Sequence, residues 1–319
     1  MRSSPKLKSL KIKAKELSAG SIRMILESNI EVLRLKEIEN LGSNGIDEFC
    51  NIKTLKSLTI FPRYGRGINH PVLDRILKPL AVNDVPIEEV RLFSGRVCSN
   101  NTTVLNTFFQ KKKDTLKSIA LRLQQFDENV PLKNLNLCQN LEQIVMTRWH
   151  SKNLEILSGM SNLKRLALCY MNNEVDCLVS LFERLSLENL KELSIQNCSN
   201  VKNELFSKLS KISFPKLESL YIHPPIEHRK EDNILSDKIL QELVLNMPNL
   251  SLIQFGDRFF KSNLTFKTLM ELFEKRKIFM IFSEILSQVL MEKWFLNHDK
   301  DLYEKYQHLK FKFYWRLEK

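Results

Sequence analysis

The chain has 319 residues, with 49 Lys and Arg against 37 Asp and Glu for a net charge of +12, and 43% hydrophobic residues but only 8 glycines and 10 prolines. That composition supplies a large core and excludes collagenous, low-complexity and mostly disordered chains. The shortage of glycine weighs against enzymes built on phosphate-cradling loops, whose backbones need positive φ and close approach to the ligand.

At the N-terminus, Lys6, Lys8, Lys11, Lys13 and Lys15 interrupt the apolar residues that a secretory signal would require. No uninterrupted apolar run reaches the roughly 18 residues of a membrane span. The expectation is a soluble, intracellular protein, cytoplasmic or nuclear, with no membrane partner. Six cysteines lie far apart without a Cys-x-x-Cys pair, so neither zinc ligands nor a disulfide framework is signalled, and several beside strand-like segments read as buried thiols.

From Leu7 onward one unit recurs: apolar-x-x-apolar-x-apolar. Its copies are Leu7/Leu10/Ile12, Ile30/Leu33/Leu35, Leu55/Leu58/Ile60, Ile87/Val90/Leu92, Leu116/Ile119/Leu121, Leu141/Ile144/Met146, Leu163/Leu166/Leu168, Leu190/Leu193/Ile195, Leu217/Leu220/Ile222 and Leu250/Ile253/Phe255. These ten copies start 22 to 33 residues apart, a period that signals a repeat array. In most copies the second and third apolar positions alternate with polar residues, as a strand with one buried face requires, and the first anchors the chain ahead of it. Between strands, helical spacing recurs in Ile22, Ile25 and Leu26; in Val72, Leu73, Ile76 and Leu77; in Leu178, Leu181, Phe182 and Leu185; and in Leu205, Leu209 and Ile212. A unit of one strand plus one helix or irregular turn cannot bury its apolar face alone, so neighbours must stack.

The phrases Leu163-Lys164-Arg165-Leu166-Ala167-Leu168-Cys169, Leu190-Lys191-Glu192-Leu193-Ser194-Ile195-Gln196-Asn197-Cys198 and Phe214-Pro215-Lys216-Leu217-Glu218-Ser219-Leu220 carry the likeness. The chain resembles a leucine-rich-repeat (LRR) protein over roughly residues 5–260, in the degenerate, long-repeat style of F-box/LRR proteins. The resemblance implies an α/β solenoid, a curved parallel sheet with outer helices. It also implies that the sheet captures a substrate protein for ubiquitination. Three residues past the third apolar position, where the family prefers Asn or Cys, only Cys198 conforms; Lys15, Ile38, Arg63, Gly95, Gln124, Trp149, Met171, Pro225 and Arg258 stand there in other copies. The side-chain ladder that normally ties successive turns is therefore expected to be missing. No F-box is legible ahead of Pro5-Lys6-Leu7, so contact with ubiquitin-ligase subunits would need a segment outside this chain.

The array is expected over residues 1–263, with a mainly helical C-terminal cap over 264–319. That cap would use Leu264, Leu269, Leu272 and Phe273, then Phe282, Ile285, Leu286, Val289, Leu290 and Trp294, ending in Phe311, Phe313, Tyr314 and Trp315. The short aromatic run Ile278-Phe279-Met280-Ile281-Phe282 reads alternatively as an eleventh strand.

Sequence handles for chemistry are scarce. His70, His150, His223, His228, His298 and His308 form no His-Glu-x-x-His motif, and Gly-x-Ser-x-Gly, the P-loop and the dinucleotide fingerprint are absent. His223-Pro224-Pro225-Ile226-Glu227-His228 is the most site-like cluster, yet nothing beyond two imidazoles and a carboxylate supports acid/base or metal work. No enzyme, cofactor or metal is expected.

Function is then expected on the concave strand face, with a protein ligand. The candidates are Arg34, Thr59, Arg91, Phe93, Arg122, Thr147, Gln196, Tyr221 and His223 on the strands, with Trp149 and Arg258 at strand ends. Arg, Tyr and Trp commonly anchor interfaces. Half of the net charge sits in residues 1–23, where Arg2, Lys6, Lys8, Lys11, Lys13, Lys15 and Arg23 face only Glu16. Lys111-Lys112-Lys113 and Lys275-Arg276-Lys277 form two further knots. Nucleic-acid binding would need such groups on one face with stacking aromatics or a reading module, and no module is visible. Lysines on the first strand have a simpler use in discouraging edge-to-edge pairing. The leading expectation is an F-box/LRR-like substrate receptor; the alternatives are an LRR scaffold unrelated to ubiquitination and a basic nucleic-acid-associated protein.

Overall fold

A computed structural model describes residues 7–15, 17–38, 46–62, 70–93, 100–122, 132–147, 154–169, 175–196, 198, 203–223, 236–255, 272, 275 and 278–282. The chain divides into two compact units, Met1–Asn173 with Arg184–Ser186, and Glu174–Glu183 with Leu187–Lys319.

Among the described residues the first unit contains seven strands: β1 (Ser9–Lys13), β2 (Val32–Ile38), β3 (Ser57–Pro62), β4 (Glu89–Phe93), β5 (Ser118–Arg122), β6 (Gln143–Thr147) and β7 (Arg165–Cys169). Each pairs in parallel with the next in chain order. Helices α1 (Ala19–Leu26), α2 (Ile46–Phe49), α3 (His70–Val82) and α4 (Asn100–Lys112) fill the first four connections, and 3-10 turns at Lys133–Leu137 and Glu155–Gly159 serve the next two.

Register explains why the period-2 apolar pattern suffices to build this unit. Leu33, Leu58, Val90, Ile119, Ile144 and Leu166 stand opposite one another from strand to strand, and none is more than 1% exposed. Leu35, Ile60, Leu92, Leu121 and Leu168 form a second buried row, and the anchors Ile30, Leu55, Ile87, Leu116, Leu141 and Leu163 a third. Burying one such side chain contributes about 1.5–3 kcal/mol, which is repeated at every turn. Phe49, Phe108 and Phe109 close the space between sheet and helices, the last two edge to face with centroids 5.8 Å apart. Ser18 starts α1 by accepting the Ser21 N–H at 3.1 Å, which satisfies one of the orphan donors of the first turn.

The second unit carries α5 (Val175–Arg184), α6 (Asn203–Leu209) and α7 (Asp237–Leu245) beside β8 (Glu192–Gln196), β9 (Ser219–His223), β10 (Leu252–Phe255) and β11 (Phe279–Phe282). Its strands are again parallel and in chain order. Leu193, Leu220 and Ile253 form one buried row, Ile195 and Ile222 another, and Phe182 meets Phe214 edge to face at 5.9 Å. The helices expected around Ile22–Leu26, Val72–Leu77, Leu178–Leu185 and Leu205–Ile212 are the observed α1, α3, α5 and α6.

Of the two readings of Ile278-Phe279-Met280-Ile281-Phe282, the strand is the one observed: β11 pairs with β10 through Leu252 opposite Phe279 and Phe255 opposite Phe282. Apart from 272, 275 and 278–282, residues 264–319 of the expected cap lie outside the described residues. Ties between turns are present at the other end of the strand from the position where the family's ladder would stand. One residue before the anchor, Asn140 Nδ2 donates to the Asp114 carbonyl at 2.8 Å and Asn162 Nδ2 to the Gln139 carbonyl at 2.9 Å. In the second unit Asn249 Nδ2 donates likewise to the Pro215 carbonyl. Each acceptor lies two residues ahead of the preceding repeat's anchor, so the same bond recurs with the repeat.

One residue after the anchor, a second ladder runs through the first unit. The carbonyls of Lys8, Glu31, Lys56, Glu88, Lys117 and Glu142 each accept two backbone N–H bonds from the following repeat, as when Glu31 and Val32 both donate to Lys8 at 2.9 Å. Their side chains, continued by Lys164, alternate in charge along the unit. Nζ–Oε distances are 2.9 Å for Lys8–Glu31, 2.8 Å for Lys56–Glu31, 2.9 Å for Lys117–Glu88 and 2.7 Å for Lys164–Glu142. Within the second unit Lys191 and Glu218 form the same pair at 2.7 Å. Opposite charges on adjacent strands favour this order of neighbours, whereas like charges would oppose it.

Candidate protein-binding face

Strand residues that alternate with the buried rows point away from the helices. In the first unit the middle outward row reads Lys11, Arg34, Thr59, Arg91, Ala120, Val145 and Ala167 by register. Lys13, Lys36 and Phe61 flank it on β1 to β3. In the second unit the row reads Ser194, Tyr221 and Gln254.

The structure brings Arg34, Thr59 and Arg91 into register on β2, β3 and β4. Arg34 is exposed and Arg91 half-buried, but Thr59 is only 3% exposed and presents almost no surface between them. Arg91 donates to Glu89 Oε1 at 2.5 Å, and the other Glu89 oxygen accepts from Ser57 Oγ at 2.5 Å, so this guanidinium is held along its own strand. Phe93, Arg122 and Thr147 fall at the ends of β4, β5 and β6, Phe93 opposite Arg122 and Thr147 opposite Cys169 by register. Gln196 and His223 stand opposite each other at the ends of β8 and β9, with Tyr221 one step back on β9, all three half-buried. Gln196 Nε2 donates to Ser194 Oγ at 2.7 Å, which fixes its carboxamide over the strand. Trp149, Arg258 and His228 lie outside the described residues.

Several face residues were not named from the sequence. Lys11 is exposed, and neither it nor Arg34 has a carboxylate partner among the described residues. Lys13 pairs with Glu37 at 3.0 Å, and the Lys36 ammonium sits 5.2 Å from the centroid of the Phe61 ring, a cation–π distance. Glu37 has φ of 59° at an irregularity where the β2–β3 register shifts between Lys36 and Ile38. A β-bulge of this kind re-aims side chains, and here it lies between the Lys36–Phe61 and Lys13–Glu37 contacts. The signal available beforehand was the register itself: Lys11 and Lys36 fall in outward positions of the same repeat frame that identified Arg34.

The basic knots are differently placed. Lys112, the middle residue of the second knot, is 7% exposed and donates to the carbonyls of Asn83 and Val85 at 2.8 and 3.0 Å. Its ammonium satisfies carbonyls just beyond the end of α3, and burial pushes its pKa below the ordinary lysine value. It is a capping group rather than part of a solvated cluster. Of the third knot only Lys275 is described, and it is exposed.

On the helical side, an open depression of about 420 Å³ is lined by Glu48, Asn51, Lys78, Pro79, Val82 and Asn83. Among the described residues no three His, Cys, Asp or Glu side chains gather as a metal site, and no helix is long and apolar enough to cross a membrane.

No protein-family model matches the sequence, and no curated protein matches it. Solved structures do. The leucine-rich repeat-containing protein LegL7 from Legionella pneumophila is 13% identical with a TM-score of 0.50, over 85% of this chain and 90% of that one. The chain has the leucine-rich-repeat fold. The yeast Rad7 and Elc1 complex also matches, at 15% identity and a TM-score of 0.43, over 84% of this chain and 79% of that one. Within the LRR fold the strand face is the one large surface left uncovered by the repeat's own helices, and the residues above are its contents.

Proposed function

We propose that this LRR protein is a non-catalytic recognition module that binds another protein on the outward face of its strands. The observation that carries this reading is the alignment of residues by register: charged residues on β1, β2 and β4, small apolar ones in the middle row of β5 to β7, and Tyr221 beside Gln196 and His223 on β8 and β9. Within each unit a parallel sheet backed by helices holds its own groups in register without a deep cleft, which suits a broad macromolecular ligand better than a small molecule. The finer reading is an F-box/LRR-like substrate receptor for ubiquitin ligation, with ligase subunits as additional partners. Its support is the repeat style of residues 163–169, 190–198 and 214–220.

Proximity labelling in the native cell tests both levels, using wild type beside Val145→Arg and Tyr221→Ala. Loss of the same neighbours in the face variants, with folding retained, is the expected result. Neighbours unchanged by either variant would sink the strand-face reading. Recovery of cullin-type ligase subunits supports the receptor, and a neighbour set without them leaves an LRR scaffold.

A further inference from the structure

We infer that the outward face of β1 to β7 takes an extended protein segment whose acidic half lies over β1 to β4 and whose apolar half lies over β5 to β7. This deepens the protein-recognition reading and rests on it. Charge complementarity names the occupant. Lys11, Lys13, Arg34, Lys36 and Arg91 all occupy outward or flanking positions of the first four strands, where the only carboxylates on the same strands are Glu37 and Glu89. Those two carboxylates already hold Lys13 and Arg91, while Lys11 and Arg34 keep no acidic partner among the described residues. The two are adjacent by register, so two carboxylates of one ligand would reach both.

Beyond β4 the middle row loses its charge and becomes Ala120, Val145 and Ala167. Ala120 is only 4% exposed, so the half-buried Val145 and Ala167 supply the apolar floor on which larger apolar groups of the ligand can rest. The first four strands, of which β1, β2 and β4 carry the cations, span only about 15 Å at the ~4.8 Å strand spacing, the reach of a few peptide residues.

That confinement disfavours nucleic acid. A phosphate backbone carries uniform charge and needs a continuous basic track with aromatics free to stack. Here the middle row carries charge only on β1, β2 and β4, Arg122 on β5 and Arg165 on β7 stand outside that row, carboxylates are interspersed, and the Phe61 ring is already covered by Lys36. A peptide can match such a surface residue by residue.

The experiment uses the full chain and fluorescence anisotropy with three labelled probes: a peptide of a glutamate block followed by leucines and alanines, the same peptide with lysines for the glutamates, and a mixed-sequence single-stranded oligonucleotide. The glutamate peptide is expected to bind, more weakly as salt rises. The double reversal Lys11→Glu with Arg34→Glu should weaken it about tenfold or more, from two charge pairs turned repulsive. The matched reversal Lys111→Glu with Lys238→Glu, on exposed positions of α4 and α7, changes net charge equally and should leave binding within about twofold. Circular dichroism confirms that each variant is folded. The inference falls if the glutamate peptide does not bind, if both double reversals weaken it alike, or if the oligonucleotide binds more tightly than the peptide. Failure of the broader reading looks different: cellular neighbours lost with Tyr221→Ala but kept with the Lys11/Arg34 reversal preserve protein recognition and overturn only the acidic ligand.

Discussion

Glu31 accepts a hydrogen bond from Lys56 at 2.8 Å and from Lys8 at 2.9 Å, so one carboxylate joins three successive repeats. The Lys56 ammonium, and then that of Lys8, hold its pKa at about 2 against an ordinary 4.5, and Glu31 in return raises that of Lys56. For a carboxylate with a depressed folded-state pKa, the stabilisation is complete above the ordinary value and is lost as pH falls toward the folded one. The melting temperature should therefore drop between about pH 5 and pH 2, and Glu31→Gln should flatten that limb while lowering the temperature at neutral pH. On the alkaline side the sign reverses, because Lys56 contributes until pH rises through its raised pKa. Thermal melts across pH for both proteins decide this; parallel acid limbs would show that Glu31 is not a principal acid-sensitive group.

Lys112 offers a test of burial against appearance. Its two hydrogen bonds end on carbonyls of Asn83 and Val85, and the Asn83 side chain in turn reaches the Cys50 carbonyl at 3.1 Å. Lys112→Met keeps most of the stem volume but strands both acceptors, at a cost of about 1–3 kcal/mol. The exposed neighbour in Lys111→Met should change stability by no more than about 0.5 kcal/mol. Urea denaturation measures both, and equal losses would mean that Lys112 is solvated.

The strands were legible because every inward position is apolar and the pattern repeats with the turn; no other feature of the chain is stated so many times. Cysteines were legible for a similar reason, since small apolar-like residues beside strands fit the core, and Cys50, Cys138, Cys169 and Cys198 are buried. The ion-pair ladder escaped because Lys8, Glu31, Lys56, Glu88, Lys117 and Glu142 each occupy a polar position that any exposed residue could fill. Their alternation has meaning only when repeats are laid beside one another in register. Lys112 escaped for the opposite reason: a lysine between two lysines reads as solvent-facing, and only the fold carries its ammonium to the end of α3. β11 was ambiguous because a short aromatic run fits a strand or a helical cap equally well until a neighbouring strand is present to pair with it.

Thiol reactivity should follow burial. Cys138 is 1% exposed, directs its sulfur at the Phe109 carbonyl, and is pushed up to about 12, chiefly by burial. Since the thiolate is the reactive form, Cys138 should resist iodoacetamide at neutral pH in the folded protein and react after denaturation. Cys177 on α5 is half-buried and should be modified first of the two. Peptide mapping by mass spectrometry after timed labelling gives the order; modification of Cys138 at the rate of an unfolded thiol would contradict its position in the core.

Glu37 sets local strain against an ion pair, and two substitutions separate them. With φ of 59° its backbone occupies the left-handed region, which costs a non-glycine residue about 1–2 kcal/mol. Its carboxylate meets Lys13 at 3.0 Å, but the two side chains are 43% and 62% exposed, so the pair returns only a few tenths of a kcal/mol. Glu37→Gly removes both and should stabilise the protein by about 0.5–1 kcal/mol, because the relief outweighs the lost pair and the added freedom of the unfolded chain. Glu37→Ala loses the pair while keeping the Cβ, and should be neutral or slightly destabilising. Urea midpoints at constant slope compare the three proteins. If Glu37→Gly is no more stable than Glu37→Ala, the bulge does not strain this residue; if it is, the carboxylate is kept against its backbone preference, and its removal also leaves Lys13 free on the cationic face.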